Sequence, residues 1–227
     1  MIIRTELDQK IHFSKDQILL LGSMVEEAMY RSVQALKDHD FDASQVVLEN
    51  DQAVNRKRFE IEALVISSIA TEQPLAHDLR VLASVLDLCT ELERIGDYAK
   101  GIASLNLRSG GLGLPKILGD LYYMSEKALD MFHRAMTAFI QEDIIGARAI
   151  AKEDDVIDAL YEQVYNEVMD LVSDNPMNME RGNYVLWVAH NLERMADRVT
   201  NVCERTVYIA TGELGEITDT LGHHIRH

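Results

Sequence analysis

Three prolines and twelve glycines in 227 residues leave few positions at which the chain is forced to turn. That scarcity argues against a collagen-like or low-complexity chain, and against an all-β fold built on many tight turns. Aromatic residues make up only 6% of the sequence, and few apolar residues alternate as a half-buried strand requires. Two cysteines, Cys89 and Cys203, cannot form a disulfide framework. Both lie in apolar helical runs and read as small buried hydrophobes, a usage that suits a reducing compartment. Basic residues are also short: 22 Lys and Arg face 38 Asp and Glu, for a formal charge of -16. A surface that acidic argues against nucleic acid or an anionic membrane face as the main partner. It suits cations, or basic patches on other proteins. No run reaches 18 apolar residues, so no membrane-spanning helix is expected. The opening residues Met1-Ile-Ile-Arg-Thr-Glu-Leu-Asp8 carry charges where a signal peptide needs an apolar core. Direct membrane insertion is therefore not expected. Missing too are a phosphate-cradling glycine loop, a serine elbow and a Cys/His pair, so no catalytic residue is evident.

What remains is helical periodicity. Ser14 and Gln17 read as a capping box, opening a first helix that runs to about Asp38. A second spans about Ala43 to Ile69, with Val46, Val47, Ala53, Val54, Phe59, Leu64 and Ile66 on its apolar side. Thr71-Glu-Gln-Pro74 breaks it, and Pro74 reads as the first-turn proline of a third helix, about Leu75 to Leu105. The glycine-dense stretch Arg108 to Pro115 is the best boundary, which divides the chain into 1–108 and 109–227. The second part repeats the plan, with helices at about Lys116–Phe139, Ile145–Leu171 and Glu180–Ala210. Asp143 follows Asp40 by 103 residues, and Pro176 follows Pro74 by 102. An internal duplication accounts for both. Short links make neighbouring helices antiparallel, so the expected fold class is all-α, six long helices in two tandem, pseudo-symmetric three-helix bundles.

The duplication is sharpest in Glu91-Leu-Glu93-Arg94-Ile95-Gly96-Asp97-Tyr98-Ala99, which returns 100 residues later as Asn191-Leu-Glu193-Arg194-Met195-Ala196-Asp197-Arg198-Val199. Each copy puts a Glu and an Asp at i and i+4, on one face of a helix. Folding the second helix back from a hinge near residue 72 puts Glu93 level with Asp51, and Asp97 level with Glu49 or nearby. Folding the fifth back from near residue 175 puts Glu193 beside Asp158, and Asp197 beside Asp154. Asp51, Asn55, Glu93 and Asp97 can then converge in one half, and Asp154, Asp158, Glu193 and Asp197 in the other. Oxygen ligands on facing helices are how bundles build di-metal carboxylate sites. The alternative is that these acids are solvated or paired with Arg56, Arg80, Arg94 and Arg194. The tail Gly222-His-His-Ile-Arg-His227 reads as a frayed terminus, with adventitious metal binding as the alternative.

At this point the chain resembles the PhoU family, regulators of phosphate uptake. The resemblance rests on Gln73-Pro74, Asp78-Leu79-Arg80 and Glu93-Arg94-Ile95-Gly96-Asp97-Tyr98-Ala99 in the first repeat. In the second it rests on Asn191-Leu192-Glu193-Arg194-Met195-Ala196-Asp197 with Asn201, Glu204 and Gly212. It covers Leu7 to about Gly212. It implies two three-helix bundles related by a pseudo-twofold axis. It also implies cytoplasmic, often homodimeric proteins that are not enzymes. Such proteins act as adaptors between the phosphate ABC transporter and a sensor histidine kinase, and hold the starvation response off when phosphate is plentiful. Some members carry multinuclear iron or zinc clusters, others manganese or magnesium. The metal residues here would be Asp51, Glu93, Asp97, Asp154, Asp158, Glu193 and Asp197. Asn55 departs from an all-carboxylate set and offers only a neutral amide oxygen. Two other functions stay open: a di-metal carboxylate hydrolase or oxidase, and a helical adaptor without metal.

Overall fold

A computed structural model describes residues 2–110, 115–215 and 217, with side chains from residue 6 to 110, from 119 to 215, and at 217. The glycine stretch at 111–114 and the histidine-bearing tail lie outside the described residues. Among the described residues, seven α-helices form six helical arms: α1 Ile2–Asp38, α2 Phe41–Glu72, α3 His77–Ser109, α4 Pro115–Gln141, α5 Ile144–Ala151, α6 Asp154–Asp174 and α7 Met179–Thr211. Helices α5 and α6 make one arm, interrupted at Lys152 and Glu153. Helices α1, α2 and α3 pack on one another, as do α4, α5/α6 and α7. These are two pseudo-symmetric three-helix bundles.

The repeats match in local chemistry at their first turns. His39 and Glu142 both take φ 54°, ending one helix in the left-handed region. The next residue, Asp40 or Asp143, caps the following helix by accepting hydrogen bonds from Ala43 N in one case and from Ile145 N and Gly146 N in the other. The hairpin tips differ. Gln73 and Ala76 both have positive φ, and α3 starts only at His77. Pro74 is thus not a first-turn proline but part of the connection. In the second half, Pro176 opens a short 3₁₀ turn, Pro176–Asn178, capped by the Asn175 side chain on Met177 N.

Two further expectations are corrected. Ser14 does not cap a helix. It lies buried inside α1, and its hydroxyl donates to the Lys10 carbonyl at 2.8 Å. The helix starts earlier because Ile11 joins the core and Leu7 packs against it. On α2 the buried residues are Ser44, Val47, Val54, Ile61, Val65 and Ser68. Four of these recur every seven positions, a narrow helical seam. Val46, Phe59 and Ile66 lie off that seam and are exposed.

One continuous apolar core runs through both bundles. Its axis is the pair α3 and α7, which cross in antiparallel fashion. Asp87 faces Arg205 at 3.2 Å, Glu91 accepts from Asn201 at 2.8 Å, and Arg80 donates to the Ile209 carbonyl at 2.9 Å. A Cβ on Gly101 would stand 3.0 Å from the Asn191 amide oxygen. These pairs put the midpoint of the crossing at Gly96 and Ala196, the matching residues of the two motifs, both buried. The duplicated stretch therefore holds the bundles together, and Leu92 and Leu192 lie in that core.

Candidate metal-binding faces

In the first half, α2 and α3 bring acids and bases together. Asp51, with a side chain 9% exposed, accepts from the Lys100 ammonium at 2.6 Å and from the Asn55 amide at 3.3 Å. Glu93 pairs with Arg58 at 3.2 Å, and Arg58 also donates to Glu62 at 2.8 Å. The register differs from the sequence expectation. Glu93 stands by Arg58 rather than level with Asp51, and Asp51 faces Lys100 and Asp97. The hinge lies past residue 72, in the connection 73–76: the pairs Arg58–Glu93 and Asp51–Lys100 centre it between Leu75 and Ala76, and moving it there slides facing positions by about seven, roughly two helical turns. Burial raises the Asp97 carboxyl above its ordinary range, helped by the charge of Asp51 and opposed by Lys100, Arg94 and Arg58. The Lys100 ammonium is raised, first by its hydrogen bond to Asp51.

In the second half Thr200 and Tyr161 take the places of Lys100 and Arg58, so no base stands there. Burial pushes the Asp154 carboxyl up to about 7, and the charges of Asp158, Asp197, Glu193 and Asp155 push it the same way. Burial likewise pushes Glu193 up to about 7, helped by Asp197 and Asp158. Asp158 is raised by burial and by the charge of Asp197. Asp197 is raised by burial, against the pull of Arg194, Arg198 and His190. The four carboxylates act on one another as a single cluster. Two oxygens in it, Asp154 Oδ1 and Glu193 Oε2, are buried without a hydrogen-bond partner. Arg194 reaches Asp197 at 3.1 Å, while His190 Nδ1 lies 3.4 Å from Glu193 Oε2 without hydrogen-bonding geometry.

Among the described residues no three His, Cys, Asp or Glu side chains stand close enough to form a ready metal cage. The second half is an electrostatic cluster of hard oxygen donors rather than a closed ligand set. Orphaned carboxylate oxygens and mutual repulsion still fit a divalent cation in kind. The first half fits poorly, because Lys100 and Asn55 already bond to Asp51, and Arg58 already pairs with Glu93.

Of the arginines considered as alternative partners, only Arg194 makes an ion pair within these clusters. Arg80 is used at the α3–α7 crossing. Sequence reasoning missed Lys100 and Arg58. Lys100 was legible: it follows Asp97 by three and Glu93 by seven, on the same helical face. Arg58 could be placed only once the hinge was known. Glu91, which opens the first motif, serves the crossing, accepting from Asn201 and facing Arg198 at 3.5 Å.

A family model described as the PhoU domain matches residues 18–105 and again 121–206. The phosphate-specific transport system accessory protein PhoU homolog of Clostridium acetobutylicum is 33% identical over 204 residues, 89% of this chain and 93% of that protein. Its counterpart in Streptococcus pneumoniae serotype 4 is 31% identical over 95% of this chain and all of that one. The crystal structure of the phosphate transport system regulatory protein PhoU from Streptococcus pneumoniae superposes with a TM-score of 0.87 at 31% identity, covering 92% of this chain and 99% of that chain. PhoU from Pseudomonas aeruginosa gives 0.86 at 26% identity, covering 91% and 99%.

Proposed function

The chain belongs to the PhoU family, and from that premise we propose that it is a negative regulator of phosphate uptake and of the phosphate-starvation response. A PhoU-type regulatory role in phosphate homeostasis follows from the doubled domain and its near-complete coverage of regulatory relatives. Those relatives are named as accessory and regulatory proteins of phosphate transport, which agrees with the expectation that the chain is not an enzyme. The finer proposal is that it works in the cytoplasm, as a homodimer, as an adaptor between the phosphate ABC transporter and its sensor histidine kinase. In support, no helix among the described residues is long and apolar enough to cross a membrane. The acidic surface also favours basic protein patches over nucleic acid.

We also propose that a divalent or trivalent ion (iron, zinc, manganese or magnesium) binds the second-half face. Asp154, Asp158, Glu193 and Asp197 would hold it. The ion would supply a fixed positive charge where four partly buried carboxylates now repel one another. The observation that carries this reading is the pair of orphaned oxygens, Asp154 Oδ1 and Glu193 Oε2. Deleting the gene should derepress phosphate uptake in phosphate-replete cells. Unchanged uptake together with an unchanged starvation response in the deletion strain would reject the regulatory reading. Elemental analysis of the purified native protein tests the metal, and an empty result removes it.

A further inference from the structure

The two acidic faces occupy matching places in a duplicated fold, so each is a control for the other. On α3 and α7, matching residues lie 100 apart; on α2 and α5/α6, they lie 103 apart. Side-chain neighbours obey the same correspondence. Asp51 and Asp97 interact as Asp154 and Asp197 do, and Arg58 stands by Glu93 where Tyr161 stands by Glu193. Three carboxylates are common to both faces. The other three positions differ, each in the same direction of charge: Asn55 against Asp158, Arg58 against Tyr161, and Lys100 against Thr200. The six positions carry a formal charge of minus one in the first half and minus four in the second.

Geometry shows what the extra bases do. The Lys100 ammonium lies 2.6 Å from Asp51 and acts on Asp97 and Glu93 as well. Arg58 reaches Glu93 from the facing helix. At the matching position in the second half, the Thr200 hydroxyl turns back to donate to the Asp197 carbonyl at 2.7 Å and neutralises nothing.

We propose that the first half carries its own cation: the Lys100 ammonium, supported by Arg58, stands in for the external ion, so the chain takes metal on its second-half face only. The inference rests on the metal reading above, but its central element, a built-in counter-ion, can be read without any metal. A lysine at the edge of four oxygen donors supplies a compact, strongly donating positive charge. A cation entering the first half must displace it, whereas in the second half Arg194 pairs with Asp197 alone and Asp154 and Asp158 have no base bonded to them.

The test uses the full chain stripped with chelator, titrated with Mn²⁺ by calorimetry and by the electron paramagnetic resonance of the bound ion. In the unaltered chain, Asp154→Asn with Glu193→Gln should abolish binding, and Glu93→Gln with Asp97→Asn should leave it intact. Lys100→Thr with Arg58→Tyr, which writes second-half residues into the first half, should add a second set of bound ions. Lys100→Met alone is the milder version should the double variant unfold. Without metal, Thr200→Lys should raise the melting temperature of stripped protein and cancel its stabilisation by Mn²⁺, and Lys100→Thr should lower it. Should the unaltered chain bind no Mn²⁺ while both melting shifts occur, the metal reading fails and the built-in counter-ion stands. Loss of bound Mn²⁺ in the Glu93/Asp97 variant, or no gain of Mn²⁺ in either Lys100 variant with melting temperatures unmoved, would overturn the proposal.

Discussion

Asp51 and Lys100 face each other across α2 and α3 at 2.6 Å, and the matching pair, Asp154 and Thr200, makes no such contact. A duplicated backbone thus carries two different electrostatic solutions. Asp51 is nearly buried, so the ammonium beside it removes a charge that would otherwise be costly. Asp154 has no base beside it and one oxygen without a partner. The repeats keep the same helices and the same Glu/Asp spacing, and differ in what compensates them.

The crossing of α3 and α7 is expected to be the most sensitive part of the apolar core. Leu92 and Leu192 lie in the two motif copies and are 0% and 2% exposed. Replacing either by Ala removes buried methyl groups and leaves a cavity, at a cost of about 2–5 kcal/mol. Urea unfolding of each variant checks this. Losses below about 1 kcal/mol at both positions would show that the crossing tolerates voids.

The turn at Asp143 offers a local test. Its carboxylate accepts from Ile145 N at 3.1 Å and from Gly146 N at 3.0 Å. Asp143→Ala should cost about 0.5–2 kcal/mol by orphaning two amides at the start of α5. Asp143→Asn, which keeps an acceptor, should cost much less. Thermal melts of both variants decide; equal losses would mean that the charge rather than the acceptor matters there.

That turn was readable in the sequence, and the contrast with the rest is instructive. Asp40 and Asp143 are strong capping residues at a fixed offset, so chemistry and repetition agreed. The hinge at 73–76 was not readable. Gln73 and Ala76 adopt positive φ although neither is glycine, and nothing in their propensities announces it. The register of α2 on α3, and with it the Arg58 contact to Glu93, is set by that connection. The break between α5 and α6 was equally silent, since Ala151-Lys152-Glu153-Asp154 contains neither glycine nor proline. There the chain turns with shorter-range bonds, Glu153 N to Ile150 O and Val156 N to Glu153 O, while both Glu153 oxygens bond to Arg134. The second-half acidic cluster was readable because its members differ from solvated acids in spacing alone: i and i+4 on two facing helices.

Glu91 tests the polar part of the crossing. It accepts from Asn201 at 2.8 Å and faces Arg198 at 3.5 Å, with both charged side chains mostly buried. Arg198 Nε already lacks a partner. Glu91→Ala should therefore cost about 1–3 kcal/mol, since it leaves Arg198 and Asn201 unmatched. The double variant Glu91→Ala with Arg198→Met should recover part of the loss. A double variant no better than the sum of the single changes would show that the two residues do not act together.

Stability should depend on pH through the second-half carboxylates. Ordinary Asp and Glu carboxyls titrate at 3.8 and 4.5, and in the folded second half those of Asp154 and Glu193 rise to about 7. Between those limits the folded chain holds protons that the unfolded chain has released. Stability must then fall as pH rises, because the slope follows the difference in bound protons between the two states. The contribution is fully present below about pH 4, declines through the interval up to about 7, and changes little above it. Glu142 and Glu153 have the opposite sign: their carboxyls are lowered, against their own desolvation, by Lys15 with His77 and by Arg134 respectively. The stability they confer is lost only as pH falls below the ordinary carboxylate range, outside the same window. Chelator-stripped protein should therefore melt at a lower temperature at pH 8 than at pH 5. Asp154→Asn with Glu193→Gln should flatten that slope, because neither amide titrates. Saturating Mn²⁺ should flatten it too if the ion binds this face, by favouring the ionised form. Melting curves recorded at both pH values supply the test, and a stripped protein that is more stable at pH 8 would show that the four second-half carboxylates do not repel one another in solution.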